Sequence, residues 1–101
     1  MQNNSQILVL ITPLEIKDDL VDVLMNLDLI SGFSLALIDG YSQEHSHYNI
    51  NEQVEGHRKF YRFEILHSQK DEDNILNSLR AAGSNQHVRY WVLPVKSNGK
   101  L

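Results

Sequence analysis

The chain has 101 residues and a mass of 11.6 kDa, a length typical of one small domain. Nine basic against thirteen acidic residues give a net charge of −4, which argues against binding nucleic acid through its phosphates. The 42% hydrophobic content excludes a disordered chain, and the absence of cysteine excludes disulfides, thiolate metal sites and cysteine nucleophiles. The apolar run at residues 7–11 is too short for a signal-peptide core or a membrane span. These features predict a single cytoplasmic domain over residues 1–101 that is not inserted in a membrane.

The first half of the chain predicts two strands separated by a helix. The continuous apolar run Ile7–Ile11 is typical of a strand covered on both faces. Thr12 suits the N-cap of a helix and Pro13 its first position, so a helix is predicted from Pro13 to about Leu27. Alternation of apolar and polar residues predicts the second strand over Phe33–Tyr41.

The second half of the chain again predicts two strands separated by a helix. A third strand is predicted over residues 58–67, with Tyr61, Phe63 and Ile65 on one face. Ser68 suits the N-cap of a second helix that ends near Gly83. A last strand is predicted over residues 87–95, before a loosely held C-terminal tail at 96–101.

The element order is βαββαβ, which predicts the α+β class. The expected architecture is a ferredoxin-like sandwich, a four-stranded antiparallel sheet with two helices on one face. The first and last strands are apolar on nearly every residue, so the face without helices is expected to be buried in an oligomer. A monomer with a partly apolar open face is the alternative.

The connection from Ser42 to Gly56 is far longer than a hairpin between adjacent strands needs. Connections of this length are usually functional or mobile, and a neutral surface insertion is the alternative. His45 and His47 would point to the same side of an extended segment, and His57 follows shortly after. Imidazole and carboxylate donors suit zinc, copper or nickel, so these three histidines form a candidate metal site; simply solvated histidines are the alternative. Other residues here that are candidates for contacting a ligand or partner are Glu44, Tyr48, Glu52, Glu55, Gly56 and Arg58.

The two remaining histidines, His67 and His87, lie near predicted strand ends and are expected to be structural. The sequence contains no Gly-rich phosphate loop, no Gly-x-Ser-x-Gly and no His-Glu-x-x-His. We therefore expect a protein that is not an enzyme.

The stretch Asn51–Arg58 resembles the end of the T-loop of the PII nitrogen-regulatory signal proteins. The start Ile7–Pro13, the pair Gly32-Phe33 and the ending Tyr90–Val95 more closely resemble a short, uncharacterised PII-like subgroup associated with heavy-metal efflux systems. The resemblance implies a homotrimer in which residues 42–57 act as a T-loop. Such a protein would bind a small ligand or divalent metal ion and signal to a protein partner such as a transporter or regulator.

The PII resemblance also bears on nucleotides. PII proteins bind ATP or ADP with the help of a Gly-rich turn and a lysine before the last strand. The corresponding turn here, residues 82–87, has one glycine and no lysine, which argues against ATP or ADP. The alternatives are a passive protein-interaction module without a ligand and a metal-binding trimer similar to the divalent-cation-tolerance proteins.

Overall fold

The computed structural model describes residues 4–41, 57–83 and 87–101. Six regular elements follow one another within these described residues: β1 (Ser5–Thr12), α1 (Lys17–Met25), β2 (Ser34–Tyr41), β3 (His57–Ser68), α2 (Glu72–Gly83) and β4 (Arg89–Pro94). A 3-10 turn precedes each helix, at Leu14–Ile16 and at Gln69–Asp71. The predicted βαββαβ order is confirmed. Neither described helix is long and apolar enough to cross a membrane.

The four strands form one antiparallel sheet in the order β2-β3-β1-β4. Leu8 and Leu10 of β1 are in register with Ile65 and Phe63 of β3, and all four side chains are almost fully buried. They form one core with side chains from both helices and from the 3-10 turn before α1: Ile16, Leu20, Leu24, Ile75, Leu76 and Leu79. Both helices therefore cover the same face of the sheet, as the ferredoxin-like prediction required. We call this the helix face and the other the open face.

The prediction that Thr12 caps the first helix is wrong. Thr12 is the last residue of β1, in register with Tyr61, and Pro13 holds the N-cap position of the 3-10 turn without a side-chain bond. Pairing with β3 keeps the backbone extended through residue 12, so α1 begins only at Lys17. The fully buried Thr12 hydroxyl has no hydrogen-bond partner in the described part of the chain.

Strand β3 continues past the end of β1. The β1–β3 register stops at Thr12 opposite Tyr61, whereas the β2–β3 register continues for four more pairs, to Tyr41 opposite His57. Residues 38–41 and 57–60 therefore form a two-stranded ribbon that projects about 13 Å beyond β1, at about 3.3 Å per residue. We call this the β2–β3 ribbon. The connection of residues 42–56 starts and ends at its tip.

One aromatic ring packs across the β2–β3 ribbon. A Cβ atom added to Gly40 would lie 2.6 Å from the Cδ2 and Cε2 atoms of Phe60, so the ring occupies the space that a side chain would take. The Arg58 guanidinium carbon lies 5.6 Å from the centroid of the same ring. An isolated two-stranded ribbon is marginally stable in water, so this packing is what we expect to keep the ribbon paired.

We expect Thr12→Val to stabilise the protein. The substitution keeps the shape of the side chain and removes a buried hydroxyl that has no partner among the described residues, a group whose burial costs about 1–3 kcal/mol. Thr12→Ser is the matched control, because it keeps the hydroxyl, removes a buried methyl group and should destabilise. Urea denaturation measures both free energies of unfolding. A lower free energy of unfolding for Thr12→Val than for the wild type would contradict the inference that the hydroxyl has no partner.

Gly40→Ala should destabilise the chain by about 1–2 kcal/mol, because the new methyl group displaces the Phe60 ring. Gly32→Ala is the control, since a Cβ atom at Gly32 meets nothing within 4 Å. A double-mutant cycle with Phe60→Ala should remove most of the penalty at Gly40. If Gly40→Ala costs the same with and without the ring, the proposed packing is wrong.

Candidate functional site: the β2–β3 ribbon and the open sheet face

The β2–β3 ribbon fixes both ends of the 42–56 connection. Tyr41 and His57 form its last antiparallel pair, and Cα atoms of such pairs lie about 4.5–5.5 Å apart. Two residue pairs further back, Asp39 and Lys59 are in register and form an ion pair. Both side chains are about half exposed, so the pair contributes about 1 kcal/mol or less. The connection is thus a closed loop whose two ends enter the sheet side by side.

Most residues of the predicted ligand and metal set lie outside the described residues. These are Glu44, His45, His47, Tyr48, Glu52, Glu55 and Gly56, so their roles remain predictions. His57 is the first residue of β3, and its backbone pairs with Tyr41. Arg58 is partly buried in the ribbon, on the face that carries Phe60.

The other two histidines have different environments. His67 is 4% exposed, and an oxygen atom lies near each of its ring nitrogens. Its Nδ1 lies 3.1 Å from the carbonyl oxygen of Ile65, and its Nε2 lies 3.2 Å from the side-chain oxygen of Gln6. This arrangement confirms the structural role expected for His67. His87 is exposed, two residues before β4.

A metal site within one chain would have to draw on the 42–57 segment. Among the described side chains, no three histidine, aspartate or glutamate residues come together. The other undescribed stretches, residues 1–3 and 84–86, contain none of these residue types. A three-ligand site built from one copy of this chain must therefore include at least one residue of that segment.

The open face carries an aliphatic row that crosses three strands. Ile7 of β1 is in register with Leu66 of β3 on one side and Leu93 of β4 on the other. Leu66 is 41% and Leu93 is 46% exposed, and Ile7 is partly buried. We call these three residues the aliphatic row. In water such a row is unfavourable, and contact with another protein surface would bury it.

Further along the strands, the open face carries polar as well as apolar side chains. Val9, which is 0% exposed, lies in register between Glu64 and Trp91. The Glu64 carboxylate accepts a hydrogen bond of 3.1 Å from Nε of Arg62. On the other side of β1, the guanidinium carbon of Arg89 lies 5.8 Å from the centroid of the Trp91 ring. The face thus combines apolar side chains with an ion pair and a cation–aromatic contact.

Alternation correctly predicted a shared face for Tyr61, Phe63 and Ile65, but it did not reveal the aliphatic row. Leu66, Ile7 and Leu93 come from three strands that are distant in the chain. Their grouping depends on the pairing register of β1 with β3 and β4. Alternation predicted the two faces of β3, the continuous apolar run of β1 did not predict its faces, and only the register shows which residues are neighbours.

Comparison with known proteins is consistent with this architecture. The sequence model of a family described as a protein of unknown function (DUF3240) matches residues 2–101. A DUF3240-family protein from Shewanella baltica, known from its crystal structure, is 38% identical, with 99% of each chain covered and a TM-score of 0.83. No curated protein matches the chain.

A second solved structure shows the wider relationship of the fold. PII of Arabidopsis thaliana, in a crystal structure bound to citrate, has a TM-score of 0.70 at 13% identity. The alignment covers 93% of this chain and 79% of the plant protein. At this identity the likeness concerns the fold alone. The full-length family match and the 38% identical relative show that the chain belongs to the DUF3240 family, within the ferredoxin-like fold that PII also has.

Proposed function

We propose that this chain is a PII-like regulatory protein that acts as a homotrimer. A small ligand or a divalent metal ion binds at the 42–57 segment, and the ordering of this segment signals to a protein partner such as a transporter or regulator. In this scheme the protein is not an enzyme. The observation that carries the proposal is the β2–β3 ribbon, which extends four residue pairs beyond β1 and holds both ends of the 42–56 connection.

A ribbon of this kind suits a signalling element. The connection enters the sheet through paired strands and through the Phe60–Gly40 packing, so ordering of the connection acts directly on β2 and β3. A ligand shifts the equilibrium between two states of the connection only by the difference in its affinity for them. A connection that is held at both ends and changes its order on binding supplies such a difference.

The chemistry of the 42–57 segment favours a divalent metal ion of the borderline class. The chain has no cysteine, so the donors available are imidazole, carboxylate and backbone oxygen. His45, His47 and His57 provide three imidazoles within thirteen residues, and Glu44, Glu52 and Glu55 provide carboxylates. Zinc, copper and nickel accept this combination.

Trimerisation follows from the open face in this proposal. Burial of the aliphatic row, together with the neighbouring Trp91, would remove the exposed apolar surface. Three copies with their open faces toward a common axis would bury the row once per chain. The Arg62–Glu64 pair would then lie in or beside the contact, where it favours a unique register.

Metal binding is tested by thermal shift and calorimetry with Zn²⁺, Cu²⁺ and Ni²⁺, each titrated separately into the full chain. At least one ion should raise the melting temperature, because an ion at 100 times its Kd stabilises the folded state by about 2.7 kcal/mol. The double variant His45→Ala/His47→Ala should bind that ion at least tenfold more weakly. His87→Ala is the control, since His87 lies outside the 42–57 segment. No heat and no shift with any of the three ions would remove the metal from the proposal.

The trimer is tested by light scattering at micromolar concentration. The wild type should have three times the chain mass of 11.6 kDa, and Leu66→Lys should lower the mass toward that of one chain, since it places a charge in the aliphatic row. Leu14→Lys is a matched control, because Leu14 is also 41% exposed but lies in the 3-10 turn before α1. A persistently monomeric wild type would rule out the trimer and the mechanism that depends on it.

The passive interaction module remains the second candidate. It predicts the same trimer and the same partner but no ligand. A thermal-shift screen with the three metal ions, ATP, ADP and cyclic nucleotides separates the two candidates. A trimer that responds to none of these compounds would favour the passive module.

A further inference from the structure

A groove opens on the helix face, between α2 and the edge strand β4. Its volume is about 380 Å³, within the range of about 300–1,000 Å³ that small-molecule sites have. Four leucines form its floor, Leu10, Leu20, Leu76 and Leu79, each no more than 6% exposed. The floor is therefore part of the hydrophobic core, and an occupant of the groove would contact aliphatic side chains that are already held in place.

The other described residues that line the groove include polar and more exposed side chains. Gly83 and Val88 lie where α2 ends and where the chain approaches β4, and Tyr90 on β4 is 48% exposed. Arg80 supplies the one charge among the described lining residues. Its Nη1 donates a hydrogen bond of 2.8 Å to the side-chain oxygen of Asn77, one turn earlier on α2. This bond uses one of the five N–H donors of the guanidinium group and restrains the side chain.

We propose that this groove binds a small amphipathic anion, a compact aliphatic body with a carboxylate head. The aliphatic body would pack against the leucine floor. The carboxylate would pair with the guanidinium group of Arg80, whose planar fork matches a carboxylate. Charge complementarity selects this class of occupant, because an apolar groove with a single cation binds a neutral molecule without using the cation and disfavours an ammonium group.

The described lining residues of the groove are separate from the β2–β3 ribbon. They come from β1, α1, α2, β4 and the residue just before β4, Val88. The groove also lies on the opposite face of the sheet from the aliphatic row. The protein can therefore form the proposed trimer and bind a metal ion without binding a ligand in the groove. It can also bind a ligand in the groove without either of these properties.

Octanoate is the probe. Octylammonium and 1-octanol, which have the same chain length and a different head group, are the comparison ligands. Calorimetry on the full wild-type chain should show one octanoate per chain, with octylammonium at least tenfold weaker. Arg80→Gln should weaken octanoate by at least tenfold and leave the affinity for 1-octanol within about twofold. His45→Ala/His47→Ala should bind octanoate like the wild type, because neither histidine is among the described residues that line the groove.

The groove itself is tested by filling it. A Cβ atom at Gly83 would meet Val88 Cγ2 at 3.4 Å and Ile16 Cδ1 at 3.9 Å, so Gly83→Ala is accommodated and should keep octanoate binding. Gly83→Leu places three more carbons at the groove and should abolish binding. Val88→Phe is a second filling variant in case Gly83→Leu does not fold, and circular dichroism checks the fold of each.

Three results would overturn the proposal. The first is equal affinity for octanoate and octylammonium, which would remove the role of Arg80. The second is unchanged octanoate binding in a folded filling variant, which would place the bound molecule elsewhere. The third is a wild type that binds no octanoate while Gly83→Leu lowers the mass measured by light scattering, which would make the groove a contact between copies of the chain.

Discussion

The burial of β1 on both faces is the constraint on which the rest of the structure depends. β1 is hydrogen-bonded to β3 along one edge and to β4 along the other. Leu8 and Leu10 point to the helix face and Val9 to the open face, and none of the three is more than 2% exposed. A slip of one residue would exchange the two faces and move Leu8 and Leu10 out of the core, so β1 fixes the register of its neighbours. The helix core, the aliphatic row and the leucine floor of the groove all follow from that register.

The unequal lengths of β1 and β3 determine where function is expected. β3 has twelve residues and β1 has eight, so four residues of β3 extend beyond β1 with only β2 as a partner. An unsupported ribbon needs its own packing, and the ring of Phe60 over Gly40 provides it. The same extension places the ends of the 42–56 connection away from the helix core. Tyr41 and His57, the residues on either side of the connection, pair with each other and not with β1.

Two buried polar side chains on the helix face, His67 and Thr12, have surroundings that are set by residues distant in the chain. An oxygen atom lies near each ring nitrogen of His67, and one of the two belongs to Gln6, 61 residues away in the chain. Thr12 lies at the other end of β1, and its hydroxyl has no partner within the described residues. In the β1–β3 pairing, His67 lies opposite Gln6 and Thr12 lies opposite Tyr61. A buried hydroxyl without a partner costs stability, so Thr12 is a position where stability can be gained.

The sequence by itself determined the order of the elements and, for β3, the face on which each residue lies, because alternation and helical periodicity are properties of neighbouring residues. The βαββαβ order and the burial of Phe63 and Ile65 were predicted from those patterns. The start of α1 was not, because pairing of Thr12 with β3 overrides the local preference for a cap. The candidate ligands His45 and His47 were identified by residue type and spacing, and their role remains a prediction. The tertiary structure alone decided which residues meet across strands: Leu66 with Ile7 and Leu93, Phe60 with Gly40, and Arg80 at the same groove as Leu10. These groupings depend on pairing register and on the packing of α2 against the sheet, which no local pattern in the chain contains.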